Sequence, residues 1–185
     1  LQKSGSWRDL ESGKMLEVDQ ATWLGFHCDY DDFQIEKKLG SGSFGIVYEV
    51  TYEGPLRAEC DHDRCRKPLA LKYIRLPRNP AERMQNVKDF HNEVKIMSSL
   101  QHPRLVRFLG TVQSDPRFCI ITELLSGNVF QVLRRARRDG VTLTWDIITT
   151  IMRDAAEGMA ALHGRDPPII HRDLKAENVL IDSNF

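Results

Sequence analysis

Long apolar runs are missing from this sequence. Nowhere does one approach the ~20 residues needed to cross a bilayer, so no membrane segment is visible. Cysteine is scarce. Cys28, Cys60, Cys65 and Cys119 are too few and too scattered for a disulfide framework, which points to a reducing, intracellular and cytoplasmic setting. Net charge is absent as well, with 26 basic against 26 acidic side chains, so neither nucleic acid nor an anionic membrane is expected as a partner. There is no initiator methionine; the chain opens at Leu1, and an upstream signal lies outside what can be read. What is present suits a globular protein: 41% hydrophobic and 28% charged residues in a chain of 185, enough to bury a core.

Residues 1–32 mix glycine, serine and charges without a sustained period. They read as an N-terminal leader, with Trp7, Trp23, Leu24 and Phe26 as docking residues. From Phe33 the pattern sharpens. Phe33, Ile35, Lys37 and Leu39 alternate with Gln34, Glu36 and Lys38, which is strand spacing. Gly40-Ser41-Gly42-Ser43-Phe44-Gly45 follows, and then the β-branched and aromatic run Ile46–Val50. A dinucleotide-binding turn would open a helix at its glycines. Here a second strand follows, so the motif caps a hairpin and suits a flap over phosphates. No Gly-Lys-Ser/Thr closes it, so the Walker reading fails.

A third strand, Pro68–Ile74, sets Lys72 inside an apolar run. Ahead of it lie thirteen residues, Pro55 to Lys67, with Cys60, His62 and Cys65. That is long for a hairpin connection. Zinc is the sharper reading of the insert, but three soft ligands without a second cysteine pair favour a solvated loop. Asn79-Pro80-Ala81-Glu82 reads as a helix start, with Asn as cap and Pro at the first position. Val87, Phe90, Val94 and Met97 then form one apolar stripe, and Glu93 shares that inward face. A carboxylate so placed needs a cation, and Lys72 is the natural partner.

Two more strands are expected at Leu105–Val112 and Phe118–Thr122, followed by a helix from Asn128 to Arg138 with Gly140 as C-cap. Arg134, Arg135, Arg137 and Arg138 crowd its last turns, where cations suit the helix dipole. They read as a solvated helix end before they read as a docking or nuclear-localisation patch. Thr144 caps a long helix carrying Ile148, Ile151, Ala155, Met159 and Leu162 at helical spacing, which stops at Gly164. Pro167-Pro168 leads into His171-Arg172-Asp173-Leu174-Lys175-Ala176-Glu177-Asn178. Asp173 can orient a hydroxyl and take its proton, Lys175 can neutralise a moving phosphoryl group, and Asn178 can hold magnesium by its amide oxygen. Ile169-Ile170 and Val179-Leu180-Ile181 flank this loop, a pattern that suits a polar loop between short buried strands.

Taken in order, glycine flap, strand lysine, helix glutamate and catalytic loop resemble the eukaryotic protein kinase family over roughly residues 33–185. Thr144-Trp145, Leu162-His163, Pro167-Pro168-Ile169-Ile170 and Lys175 look most like its tyrosine-kinase-like, serine/threonine-specific group. The resemblance implies an α+β, protein-kinase-like fold. It would comprise a complete small lobe (an antiparallel sheet plus one key helix) over 33–122, a hinge over 123–127, and the first part of a mostly helical large lobe over 128–185. It implies ATP and Mg2+ as cofactors and protein substrates as partners. Lys72, paired with Glu93, would hold the α- and β-phosphates. Gly40, Ser41, Gly42, Ser43, Phe44 and Gly45 would form the flap over them. Leu39, Val47, Ala70 and Leu180 would enclose the adenine. Thr122 falls at the gatekeeper position, and the carbonyl of Glu123 and the N–H of Leu125 would bond the adenine edge. Arg172 matches a residue that in the family pairs with an activation-loop phosphate. Ser126-Gly127-Asn128-Val129 is a residue shorter than the usual two-glycine form, so no ribose contact follows.

The family's Asp-Phe-Gly, whose aspartate holds the principal magnesium, occurs nowhere in the sequence. The chain is therefore expected to be a kinase fragment, truncated before that motif, inactive as given, and partnered by the remainder of the large lobe. A non-catalytic nucleotide-binding scaffold is the alternative, although Lys72, Glu93, Asp173 and Asn178 are all in place. A small-molecule kinase is disfavoured by Arg172 and the Leu174-Lys175 pair.

Overall fold

A computed structural model describes residues 28–42, 45–54, 67–114 and 116–182, together with the backbone of Trp7–Arg8 and Met15–Leu16. The chain divides into two compact units, Leu1–Leu100 with Arg107–Leu124, and Gln101–Val106 with Leu125–Phe185.

The first unit is a five-stranded antiparallel sheet with one helix. Its strands are β1 (Phe33–Gly42), β2 (Gly45–Tyr52) and β3 (Leu69–Ile74); helix α1 (Pro80–Ser98) comes next, then β4 (Phe108–Ser114) and β5 (Arg117–Glu123). The strand order is β1-β2-β3-β5-β4. Residues of β2, β3, β4 and β5 fill a core of Val50, Tyr52, Leu69, Leu71, Leu109, Val112, Cys119 and Ile121. On the α1 side, Phe90 and Val94 pack with Ile74, Phe108 and Ile120.

Asn79 opens α1 as its composition implies, its side chain accepting from the N–H groups of Ala81 at 2.9 Å and Glu82 at 3.4 Å. The cap and the apolar stripe belong to a single helix. β1 departs from the expected half-buried strand, since Ile35 and Leu39 are 44% and 41% exposed. The strand lies at the sheet edge, and register shifts between Ile35 and Lys37 and between Lys38 and Gly40 break its alternation. β4 begins later than Leu105, because the Leu105 N–H closes a turn on the His102 carbonyl at 3.0 Å.

The end of the stretch that reads as a leader joins this core. Cys28 is buried and donates its N–H to Thr111 O at 3.1 Å. Tyr30 meets Tyr73 edge-on at 6.3 Å and lies under the Arg117 guanidinium at 4.5 Å, while Arg117 pairs with Asp31 at 2.7 Å. Farther upstream, Trp7–Arg8 pairs antiparallel with Met15–Leu16. Trp23, Leu24 and Phe26, and the insert's Cys60, His62 and Cys65, lie outside the described residues.

In the second unit, β6 (Gly127–Asn128) leads into α2 (Val129–Asp139); α3 (Trp145–His163) and β7 (Leu180–Ile181) follow. Strands β6 and β7 pair. Asn128 and Gln131 cap α2 reciprocally, and Gly140 ends it at φ 65, a conformation that favours glycine. Thr144 accepts from the Ile147 N–H at 3.4 Å to start α3. Gly158 lets the helix meet the 101–106 segment, since a Cβ there would come 2.8 Å from the Arg104 carbonyl. Arg104 then pairs with Asp154 at 3.0 Å and Glu157 at 3.3 Å. Along the stripe of α3 only Leu162 is buried; Ile148, Ile151, Ala155 and Met159 are half-buried.

The buried strand expected at Ile169-Ile170 does not form, and Ile170 is 65% exposed. Pro167 and Pro168 carry no N–H to donate to a ladder. The backbone hangs instead from the end of α3, the Ile169 N–H donating to Leu162 O at 3.0 Å. Among the described residues no helix is long and apolar enough to cross a membrane.

Candidate active site

In the first unit, strand register brings candidate residues together. Val47 stands opposite Lys72, and Lys72 opposite Ile120; Ala70 stands opposite Thr122. Side chains of directly paired residues share a face, as do those two apart along one strand. The ladder therefore sets Val47, Ala70, Lys72 and Thr122 on one side of the sheet, although 75 residues separate the first from the last. Lys72 Nζ reaches Glu93 Oε1 at 2.6 Å, the two side chains 32% and 37% exposed. An ion pair that is a third open to water adds little stability. Its effect is to hold the ammonium at a fixed point above the face.

The three flap glycines are unlike one another. At Gly40 and Gly42 an added Cβ would meet nothing within 4 Å among the described residues, so none of them requires glycine there. Gly45 is explained by the fold itself: its φ is +153, and a Cβ would collide with the Tyr73 carbonyl. Ser41 pairs with Ile46 across the hairpin, and Leu39 is exposed beside it. Ser43 and Phe44 lie outside the described residues.

At the end of β5 the Thr122 hydroxyl donates to the carbonyl of Glu123 at 3.2 Å, which leaves that oxygen a second lone pair. The Glu123 carboxylate accepts from the Arg107 N–H at 2.8 Å and pairs with its guanidinium at 3.6 Å, while the Glu123 N–H returns to Arg107 O at 3.2 Å. Arg107 is a residue that the sequence pattern misses. Its partner lies 16 positions away, beyond any local period.

The second unit holds a hydrogen-bonded knot in the loop 171–178. Asn178 spends its amide nitrogen twice on Asp173, on the carbonyl at 2.8 Å and on Oδ2 at 2.9 Å. Lys175 Nζ bonds the same Oδ2 at 2.8 Å. The Asn178 N–H closes a turn on Lys175 O at 2.9 Å. Arg172 adopts φ 64, uncommon for a residue with a side chain, so the loop reverses at a strained position next to Asp173.

Helix α2 suspends this loop. The first N–H groups of a helix have no partner within it. Here those of Val129 and Phe130 donate to Val179 O at 2.9 Å and Ala176 O at 3.1 Å. Leu125 is half-buried nearby in sequence, and the Ser126 N–H donates to Ile181 O at 2.9 Å. Leu180, on β7, is largely exposed.

Electrostatics follow from the knot. The Lys175 ammonium beside Asp173 holds its carboxyl below the usual carboxylate range, with the Asn178 amide acting in the same direction. Asp173 in turn raises Lys175. Both groups are thus charged at neutral pH. With its nitrogen engaged, Asn178 keeps its amide oxygen without a partner among the described residues, and a hard cation takes such an oxygen. Among the described residues no cluster of three or more His, Cys, Asp or Glu side chains could bind a metal alone.

Residues 33–185 match the family described as protein tyrosine and serine/threonine kinase. The chain is 32% identical over 164 residues to the probable serine/threonine-protein kinase drkB of Dictyostelium discoideum, which covers 87% of this chain and 21% of that protein. It is 34% identical over 162 residues to the serine/threonine-protein kinase CTR1 of Arabidopsis thaliana, covering 83% and 17%. With the probable serine/threonine-protein kinase PBL17 of Arabidopsis thaliana the identity is 33% over 180 residues, covering 96% and 38%. The chain spans well under half the length of each of these relatives.

Proposed function

Because the chain belongs to the protein tyrosine and serine/threonine kinase family, we propose that the whole protein transfers the γ-phosphoryl group of ATP to serine and threonine hydroxyls of protein substrates. The observation that carries this reading is the Asp173–Lys175–Asn178 knot. It offers a fixed carboxylate, a cation and a free amide oxygen within one loop.

In this reading residues 1–32 are a leader, 33–122 the small lobe, 123–127 the hinge and 128–185 the opening of the large lobe. Lys72, aimed by Glu93, binds the α- and β-phosphates, and the backbone at Gly40, Ser41 and Gly42 covers them. Leu39, Val47, Ala70, Thr122 and Leu180 contact the adenine, whose polar edge takes the Glu123 carbonyl and the Leu125 N–H. Asp173 orients the acceptor hydroxyl and takes its proton. The hydroxyl oxygen bonds the γ-phosphorus as the bond to the β,γ-bridging oxygen breaks and ADP leaves with that electron pair. Lys175 neutralises charge on the group in flight. When bound, magnesium neutralises the phosphates, and the Asn178 amide oxygen would hold it. Dependence on ATP and free thiols suits a cytoplasmic setting.

The test is transfer of label from γ-labelled ATP, with magnesium, by the whole protein, followed by phosphoamino-acid analysis. Phosphoserine and phosphothreonine are expected. Phosphotyrosine alone would overturn the specificity, and nucleotide binding without transfer would establish the scaffold reading instead.

A further inference from the structure

Glu93 is not the only polar side chain that α1 sends toward β3. Asn86 donates its side-chain amide to the carbonyl of Arg75 at 3.1 Å. Arg75 is the first residue past β3, beyond the last ladder pair, which joins Ile74 to Gly45. Asn86, Phe90, Glu93 and Met97 are spaced by four, three and four residues, which places them on one helix face.

The spans match. Two helical turns from Asn86 to Glu93 cover ~10.5 Å of axis, and Lys72 to Arg75 covers ~10 Å of strand. The earlier helix residue meets the later strand residue, so the two contacts bracket one antiparallel stretch of helix on strand. Between them Phe90, only 2% exposed, packs in the cluster that contains Ile74. An apolar contact has no preferred direction, and α1 can roll on it. One ion pair leaves that roll partly free. Two directed bonds on either side of the apolar pivot remove it.

We infer that Asn86 is a positioning residue for the Lys72–Glu93 pair, holding the first half of α1 to the end of β3 and so setting where Glu93 meets the lysine. This rests on the kinase reading for its effect on catalysis, but not for its effect on Lys72. Asn86→Asp keeps the shape and replaces the amide donor with a carboxylate that cannot donate to the Arg75 carbonyl.

In the whole protein, Asn86→Asp and Asn86→Ala are each expected to lower kcat/KM for ATP about fivefold, the loss of one neutral hydrogen bond. In a Glu93→Ala background the same changes should add less than about twofold, because the pair they position is already gone. Equal losses in both backgrounds would mark Asn86 as merely structural and overturn the inference. So would wild-type kinetics in Asn86→Asp. A second arm needs no activity: reductive methylation of Lys72, followed by peptide mass spectrometry. A lysine engaged by a carboxylate is labelled more slowly than a free one, so Asn86→Asp should label faster than wild type and approach Glu93→Ala. An unchanged labelling rate overturns the inference. If the whole protein transferred no phosphate, the proposed function would fall, and the labelling arm would still decide the role of Asn86.

Discussion

The two units hold their functional side chains by opposite means. In the first, Lys72 stands on an inner strand whose neighbours Val50, Leu71, Val112, Cys119, Ile120 and Ile121 are fully buried. Its position is set by a packed sheet and by a helix that rests on the core and is fixed there by its contacts to Lys72 and Arg75. In the second unit, only Val129, Gly158 and Leu162 are buried among the described residues. Asp173, Lys175 and Asn178 are exposed, and neighbours a few residues away hold them by hydrogen bonds. Packing positions one cation; a local knot positions the other. Loss of one polar bond in the first arrangement should shift the lysine and leave the strand that carries it in place, whereas the second has little besides such bonds to hold its shape.

The sharpest way to break that contrast is at the knot. Asp173→Asn in the whole protein should lower phosphoryl transfer by ~10²–10⁴-fold, the range of a lost general base, and leave nucleotide binding nearly intact. Transfer at the wild-type rate would show that the carboxylate is not the base. Next comes the packed side. Lys72→Met should remove most of the activity, and Glu93→Gln less, since an amide still accepts from the lysine. Activity in Lys72→Met equal to wild type would assign the phosphates to another residue.

A core substitution sharpens the comparison in stability. Leu71→Ala should cost about 2–5 kcal/mol, whereas Ile151→Ala on the half-covered face of α3 should cost ~1 kcal/mol or less. Urea unfolding of both variants checks this, and equal costs would mean that α3 is packed as tightly as the sheet. The smallest effect is electrostatic. Asp173 is held below the ordinary carboxylate pKa, so its pairing is complete above that range and is lost as pH falls through the lowered value. Lys175→Met should move the Asp173 midpoint upward in an NMR titration of the side-chain carboxyl. No movement would assign the depression to Asn178 instead.

Local chemistry was legible, and distant chemistry only where a charge on an inward face demanded a partner, as Glu93 demanded Lys72 across 21 positions. Asn79, Asn128, Gly140 and Thr144 mark helix ends because a cap acts within four residues of itself. Lys72, Glu93, Asp173, Lys175 and Asn178 could be picked out because their types recur at a spacing that their chemistry requires. Asn86, by contrast, meets Arg75 across 11 positions, and Arg107 meets Glu123 across 16; nothing in either neighbourhood announces the partner. Burial failed in the same way. Ile35 and Leu39 have strand spacing, yet they sit on an edge strand whose register shifts leave them open, and Cys28 belongs to a core that its surroundings do not suggest. The motif groups Gly45 with Gly40 and Gly42, whereas its positive φ and the Tyr73 carbonyl beside it separate it from them.

That separation turns the flap into a measuring device. Since a methyl group at Gly40 or Gly42 would touch no atom of the described residues within 4 Å, alanine there should chiefly perturb what arrives from outside. The ratio of nucleotide affinities between the two alanine variants, with adenosine, ADP and ATP in turn, would report which phosphate passes each position. The corresponding change at Gly45 would report on the sheet and say nothing about the ligand.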